Sequence, residues 1–205
     1  QTCALPIFLA FEQAIRIRSD AFDPVYQRGC ILLRLERYEE AVAAFDRALE
    51  LNRGDRDSHF YRGRTLTRLL RYEDALESFR QSLTIDAEFS KGYYCKGRSL
   101  EELGRNEEAI SAFDDFLKRV PDHSAAWHHR GICAEKIGKD AEAARSYDQA
   151  RQTDPQNVAI IFAEGNALSR LEKYDEAVRI FDIALGIEPS NGRILLEKGR
   201  ALARN

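Results

Sequence analysis

The chain has 205 residues, of which 44% are apolar and 32% are charged, with 5 prolines and a formal net charge of −3. This composition excludes a disordered or collagen-like polymer. No apolar run reaches the roughly 18 residues that a membrane-spanning helix needs. The acidic balance disfavours nucleic acid as the main partner. The 4 cysteines form no CxxC pair or zinc-ligand spacing, which favours reduced thiols over a metal site.

The chain begins with a short segment that we set aside. Residues 1–7, QTCALPI, resemble a translated sequencing-adapter scar and lack the charge pattern of a signal peptide. We interpret them as non-native.

A 34-residue period dominates everything that follows. Aromatic rings, small residues and prolines all recur at this interval, and so do six glycines, Gly29, Gly63, Gly97, Gly131, Gly165 and Gly199. The period predicts five full repeats, 22–55, 56–89, 90–123, 124–157 and 158–191. Residues 8–21 are expected to form the second helix of a truncated repeat, and residues 192–205 the first helix of another.

Each repeat is predicted to contain two helices. In the first repeat Val25, Gly29 and Leu32 recur at i, i+4 and i+7, which is one face of a helix. Ala41 and Phe45 mark one face of the second helix in the same way. Nothing alternates with period two over a strand length, so no sheet is expected. Glycine inside a helix costs about 1 kcal/mol against alanine, and we expect the ring of the paired helix to pack where the side chain is missing.

These positions resemble the tetratricopeptide repeat family. Gly29, Leu32, Ala41, Phe45 and Ala48 match its pattern and recur along residues 8–205. The resemblance implies an all-α, right-handed α-solenoid of stacked antiparallel helix pairs. It also implies a concave groove, lined by the first helices, that binds peptides or segments of partner proteins. One departure is that charged residues stand before the glycines, where the family usually has leucine.

One face of the first helices combines rings with arginines, the composition of interaction hot spots. The simpler interpretation is that the rings complete the packing between helices and the arginines are merely solvated. The alignment of these residues across adjacent repeats favours a binding surface. The predicted peptide-binding residues are Tyr26, Phe60, Tyr61, Arg64, Arg68, Tyr94, Arg98, His128, His129 and Phe162.

The leading hypothesis is a protein–protein interaction scaffold that holds an extended or helical, acidic peptide segment in the groove. Its arginines would pair with carboxylates, and its rings would supply apolar contact. An alternative is a regulatory or targeting module of a larger enzyme whose catalytic domain lies outside this sequence. A less favoured alternative is a helical-repeat RNA-binding surface, because arginine and aromatic side chains also stack on bases.

Catalysis by the chain itself is not expected, nor is a cofactor. The sequence contains no phosphate-binding glycine loop, no GxSxG and no HExxH motif. A cytoplasmic location is the default expectation, since export features are missing. Leu195 and Leu202 would present a core-type face with no second helix to cover it. We therefore expect either end-to-end self-association through this face or that the sequence is a piece of a longer repeat array.

Overall fold

The computed structural model describes residues 21–205 and, before them, Gln13 alone. The predicted scar 1–7 and nearly all of the truncated repeat 8–21 lie outside this part of the chain. No helix in the described residues is long and apolar enough to cross a membrane. Within residues 21–205 the helices are α1 Phe22–Arg34, α2 Tyr38–Leu51, α3 Arg56–Arg68, α4 Tyr72–Ile85, α5 Ser90–Glu102, α6 Asn106–Leu117, α7 Ser124–Lys136, α8 Asp140–Thr153, α9 Val158–Arg170, α10 Tyr174–Ile187 and α11 Gly192–Arg204.

The fold is an all-α solenoid, and it divides into two compact units. Unit 1 ends at Leu103 and unit 2 begins at Gly104. In unit 1, each of the helices α1 to α4 packs against the helix that follows it, and α3 also touches α1 and α5. In unit 2, helices α6 to α11 follow the same order, and α9 also touches α11. Contacts therefore run between near neighbours along the chain, as repeat proteins require.

The small residues of the first helices make room for rings, as the sequence predicts. A Cβ atom added to Gly29 would lie 2.7 Å from the Phe45 ring, and one added to Gly165 would lie 2.5 Å from Phe181. Both rings are fully buried. Two further glycines face rings in the same way, Gly63 against Phe79 and Gly131 against Tyr147. The glycine's cost in helix propensity is thus offset by close packing of paired helices.

The charged residues that replace the family's leucine tie neighbouring helices together. Arg62 on α3 donates to Asp46 on α2 at 2.6 Å and to Ser78 on α4 at 2.7 Å. Arg130 on α7 repeats the arrangement with Asp114 on α6 and Ser146 on α8. Each guanidinium thus bridges three consecutive helices. At Arg62 and Arg130, hydrogen bonds between helices therefore take the place of the apolar contact expected of the family's leucine.

The turns after the first helices share one backbone conformation. Glu36, Leu70 and Glu172 adopt positive φ angles of 60°, 59° and 61°. Gly104 and Gly138 occupy the same repeat position with φ of 72° and 73°. In the first turn the amide of Arg37 donates to the Leu32 carbonyl, a Schellman-type closure of α1. This left-handed geometry strains the three residues that are not glycine.

Candidate functional site

A cleft of about 520 Å³ opens between the first helices α1 and α3 of unit 1. We call it the α1–α3 cleft. Its lining comes mainly from these two first helices and from the turn that follows α1. The residues lining it are Tyr26, Gln27, Cys30, Leu33, Arg34, Glu36, Tyr38, Tyr61, Arg64 and Arg68.

Two tyrosines form one side of the α1–α3 cleft and are anchored on the core. The rings of Tyr26 and Tyr61 meet edge to face, with centroids 6.2 Å apart. Both also contact Phe45, at 6.1 Å and 6.2 Å, and Phe45 is fully buried. A ring that rests on a buried ring has little freedom to move. The cleft therefore offers a preformed aromatic surface, which reduces the entropy lost on binding.

Three arginines line the same cleft. Arg34, Arg64 and Arg68 are exposed, and none has an ion-pair partner among the described residues. The Arg64 guanidinium lies 5.5 Å from the Tyr61 ring centroid and 5.8 Å from that of Phe60. One carboxylate, Glu36, lines the cleft alongside them. The cleft consequently carries an excess of positive charge beside an aromatic surface.

This lack of partners distinguishes the cleft from the rest of unit 1, where most arginines are held by a carboxylate. The distance between the arginine nitrogen and the carboxylate oxygen is 2.6–2.8 Å in most pairs, for example 2.6 Å between Arg71 and Asp74. The paired arginines are Arg37, Arg47, Arg56, Arg62, Arg71, Arg80 and Arg98. The uncompensated guanidinium groups are therefore concentrated where the tyrosines are.

The thiol of Cys30 lies between Tyr26 and the arginines. Burial raises its pKa, although a hydrogen bond with the Tyr26 hydroxyl and the charge of Arg34 partly oppose this. Burial also raises the pKa of Cys95 on α5, to about 11. Both groups are therefore thiols rather than thiolates at neutral pH, which argues against a nucleophilic role. The described residues contain no group of three or more His, Cys, Asp or Glu arranged to hold a metal ion.

Four of the ten predicted site residues line the α1–α3 cleft: Tyr26, Tyr61, Arg64 and Arg68. Phe60 does not line the cleft: its ring is only 5% exposed and packs edge to face on Phe89 at 4.8 Å. Tyr94 and Arg98 lie on α5, outside the cleft lining.

Arg98 is also less available than the sequence suggests. It lies 3.4 Å from Glu101 and 3.6 Å from Glu102 on its own helix. These carboxylates would compete with a ligand for the guanidinium. Of the predicted arginines, Arg64 and Arg68 line the α1–α3 cleft, whereas Arg98 does not.

The remaining three predicted residues belong to unit 2. His128 and His129 lie on α7, where they contact Tyr147 and Phe113 at 5.8 Å and 6.1 Å between ring centroids. Phe162 lies on α9 and lines a separate cleft of about 560 Å³ between α9 and α11, the α9–α11 cleft. Its ring carries the Arg193 guanidinium 4.6 Å from its centroid.

Several residues that line the two clefts are not among the predicted site residues, although the repeat spacing indicates them. Arg34 occupies the repeat position of Arg68, one period earlier. Arg200 and Arg204, which line the α9–α11 cleft, occupy the positions of Arg64 and Arg68 four periods later.

Comparisons with known proteins agree with this architecture. The family model of the tetratricopeptide repeat matches residues 26–88, 94–158 and 162–205, most of the chain. The chain belongs to this family. No curated protein sequence matches it. Tetratricopeptide repeat domains serve as protein-interaction scaffolds, and the clefts described above lie on the first helices of this one.

Three solved structures show the same fold. YrrB, described as a tetratricopeptide repeat protein with an unusual peptide-binding site, is 22% identical, with a TM-score of 0.81 over 93% of this chain and 98% of its own. MamA from Desulfovibrio magneticus RS-1 is 19% identical, with a TM-score of 0.73 over 83% and 95%. PilF from Pseudomonas aeruginosa is 21% identical, with a TM-score of 0.69 over 91% and 85%. At these identities the likeness concerns the fold.

Proposed function

We propose that this tetratricopeptide repeat protein binds an acidic peptide segment of a partner protein in the α1–α3 cleft. The observation that carries the proposal is the coincidence of exposed arginines without ion-pair partners in the described chain and an aromatic surface held rigid by the core. Arg64 and Arg68 would pair with carboxylates of the segment, together with Arg34. Apolar side chains between those carboxylates would rest on Tyr26 and Tyr61.

The chemistry of the cleft favours carboxylates for a physical reason. An exposed arginine that already has a carboxylate partner gains little from a second one. A guanidinium without a partner is available for charge-assisted hydrogen bonds to a carboxylate of the ligand. Because these guanidinium groups are exposed, each such pair should contribute about 0–1 kcal/mol. The similarity to YrrB, which has a peptide-binding site, supports the ligand class but not the residues.

The test is a fluorescence-anisotropy titration with three labelled peptides of about ten residues, which span roughly 30 Å when extended. One alternates Glu and Asp with Leu and Phe, one replaces the acids with Gln and Asn, and one replaces them with Lys. We expect binding of the acidic peptide only. The double variant Arg64→Glu/Arg68→Glu should weaken it at least about 30-fold, which corresponds to roughly 2 kcal/mol.

The matched control reverses two exposed arginines on second helices, Arg47→Glu and Arg80→Glu. It changes the net charge by the same amount but leaves the α1–α3 cleft intact. Equal loss of binding in the control would show a non-specific charge effect and overturn the proposal. Circular dichroism of both variants verifies that the helices persist.

A single-stranded RNA oligonucleotide of comparable length serves as a competing probe. Nucleic-acid binding that depends on Arg64 and Arg68 and falls steeply with salt would favour the alternative RNA-binding interpretation. We expect the RNA to bind no better than the neutral peptide, because the surrounding chain is acidic.

A further inference from the structure

The α9–α11 cleft of unit 2 repeats the chemistry of the α1–α3 cleft with different residues. The residues lining it are Phe162, Asn166, Ser169, Arg170, Tyr174, Arg193, Glu197, Arg200, Ala201 and Arg204. Its volume of about 560 Å³ is close to the 520 Å³ of the first cleft. Like the first cleft, it is formed by two consecutive first helices.

Positive charge predominates in the α9–α11 cleft, with four arginines facing one carboxylate, Glu197. Two of these arginines are compensated: Arg200 pairs with Glu197 at 2.7 Å, and Arg170 pairs with Glu135 at 3.2 Å. Arg193 and Arg204 have no ion-pair partner among the described residues. Two guanidinium groups therefore remain available to an anionic ligand.

The walls of the cleft offer apolar and polar contacts as well. The Arg193 guanidinium lies over the half-buried Phe162 ring, as in a cation–π contact. The hydroxyl oxygen of Ser169 is buried and has no hydrogen-bond partner in the described chain. The half-buried amide of Asn166 lies one helical turn before it. A polar group that is buried without a partner costs free energy unless a ligand or water satisfies it.

We infer that the α9–α11 cleft is a second, independent binding site for an acidic peptide segment, so that one chain binds two such segments. Arg193 and Arg204 would pair with carboxylates of the segment, and Phe162 would contact an apolar side chain. A partner with two acidic segments would then gain affinity through multivalency. The inference shares its ligand class with the proposed function but rests on different residues, so either can fail alone.

Isothermal titration calorimetry of the whole chain with the acidic peptide tests this inference. We expect about two peptides per chain for the wild type, with the weaker site at α9–α11 because Glu197 competes there. The variant Arg193→Glu/Arg204→Glu should lower the stoichiometry to about one and leave the other site unchanged. Combining it with Arg64→Glu/Arg68→Glu should abolish binding.

Milder neutralising substitutions guard against unfolding of α11. The variant Arg193→Gln/Arg204→Gln should weaken the second site about tenfold while circular dichroism and the thermal midpoint stay unchanged. The control variant Arg47→Glu/Arg80→Glu should retain both sites.

The possible failures are distinguishable. A stoichiometry of one that is lost in Arg64→Glu/Arg68→Glu and unaffected by the α11 variants overturns this inference and leaves the proposed function standing. A stoichiometry of one that responds only to the α11 variants supports the second cleft and overturns the first. The absence of any binding overturns both.

Discussion

The α1–α3 and α9–α11 clefts are built from the same repeat positions, four periods apart in the sequence. Arg64 and Arg68 in one correspond to Arg200 and Arg204 in the other. The two clefts differ in the side chains that neighbour these arginines. Tyr61 occupies the position at which the second cleft has Glu197, and Glu197 binds Arg200.

Distinct surfaces thus arise in repeats that share one fold. The period determines on which helix face a side chain lies, because every repeat has the same fold. The neighbour that does not repeat determines whether that side chain is free to bind. Tyr61 leaves Arg64 uncompensated and adds a ring, whereas Glu197 partly neutralises Arg200.

The largest expected effect on stability concerns the glycines of α3 and α11, the helices that form one wall of each cleft. Gly63 on α3 faces Phe79, with a Cβ position 2.7 Å from a fully buried ring, whereas Gly199 on α11 faces nothing within 4 Å among the described residues. Gly63→Ala should therefore destabilise the protein by about 1–3 kcal/mol through overpacking. Gly199→Ala should stabilise α11 by up to about 1 kcal/mol. Urea denaturation measures both, and a change of the same sign in both variants would contradict the packing difference.

The next prediction concerns a substitution that makes the α1–α3 cleft resemble the α9–α11 cleft. Tyr61→Glu places a carboxylate where Glu197 stands and should weaken the acidic peptide at α1–α3 about tenfold, or roughly 1.4 kcal/mol. Tyr61→Gln is the control, since it removes the ring without adding charge. If the two variants bind the peptide equally well, the ring alone matters and the electrostatic part of the comparison is wrong.

A smaller effect on stability is expected in the turn that follows the first helix of each cleft. Glu36 follows α1 and Glu172 follows α9, and both adopt positive φ near 60°. The left-handed conformation destabilises a non-glycine residue by about 1–2 kcal/mol. Glycine removes this strain but loses more conformational entropy on folding, which cancels part of the gain. Glu36→Gly and Glu172→Gly should each stabilise the protein by about 0.5–1 kcal/mol in thermal or urea unfolding. A loss of stability in either variant would show that its carboxylate makes a stronger contribution than the strain.

The smallest effect should come from freeing Arg200. Its pair with Glu197 is largely exposed on the arginine side, with 63% of that side chain accessible, and such pairs are worth about 0–1 kcal/mol. Glu197→Gln should therefore strengthen the acidic peptide at the α9–α11 cleft by only about threefold. Calorimetry on the Arg64→Glu/Arg68→Glu background isolates that site. Weaker binding would mean that Glu197 positions Arg200 for the ligand instead of competing with it.

Much of the fold follows from the sequence because its determinants are local. The 34-residue period, the helical spacing of Val25, Gly29 and Leu32, and the rings that face the glycines predict paired helices and family membership without tertiary information. The site is less predictable, since exposure depends on neighbouring helices. Phe60 shares a repeat position with Tyr26, yet Phe89 covers it and buries its ring.

Helix α11 also has one feature that the sequence predicts and one that it leaves open. The sequence predicts that Leu195 and Leu202 lie on an uncovered face, and in the structure they are 49% and 54% exposed. Self-association through this face stays a prediction. Exposure follows from the repeat pattern, whereas association depends on a complementary surface.

The repeating helix pairs, and the helix face on which each arginine lies, follow from the sequence, because periodicity is a property of neighbouring residues along one chain. Which arginines are compensated depends on the packing of the helices against one another. Arg62 and Arg64 stand two residues apart, yet one is held between Asp46 and Ser78 while the other lies exposed beside Tyr61. Ion pairs between helices depend on distances that no single helix contains, and these distances determine which charges remain available to a ligand.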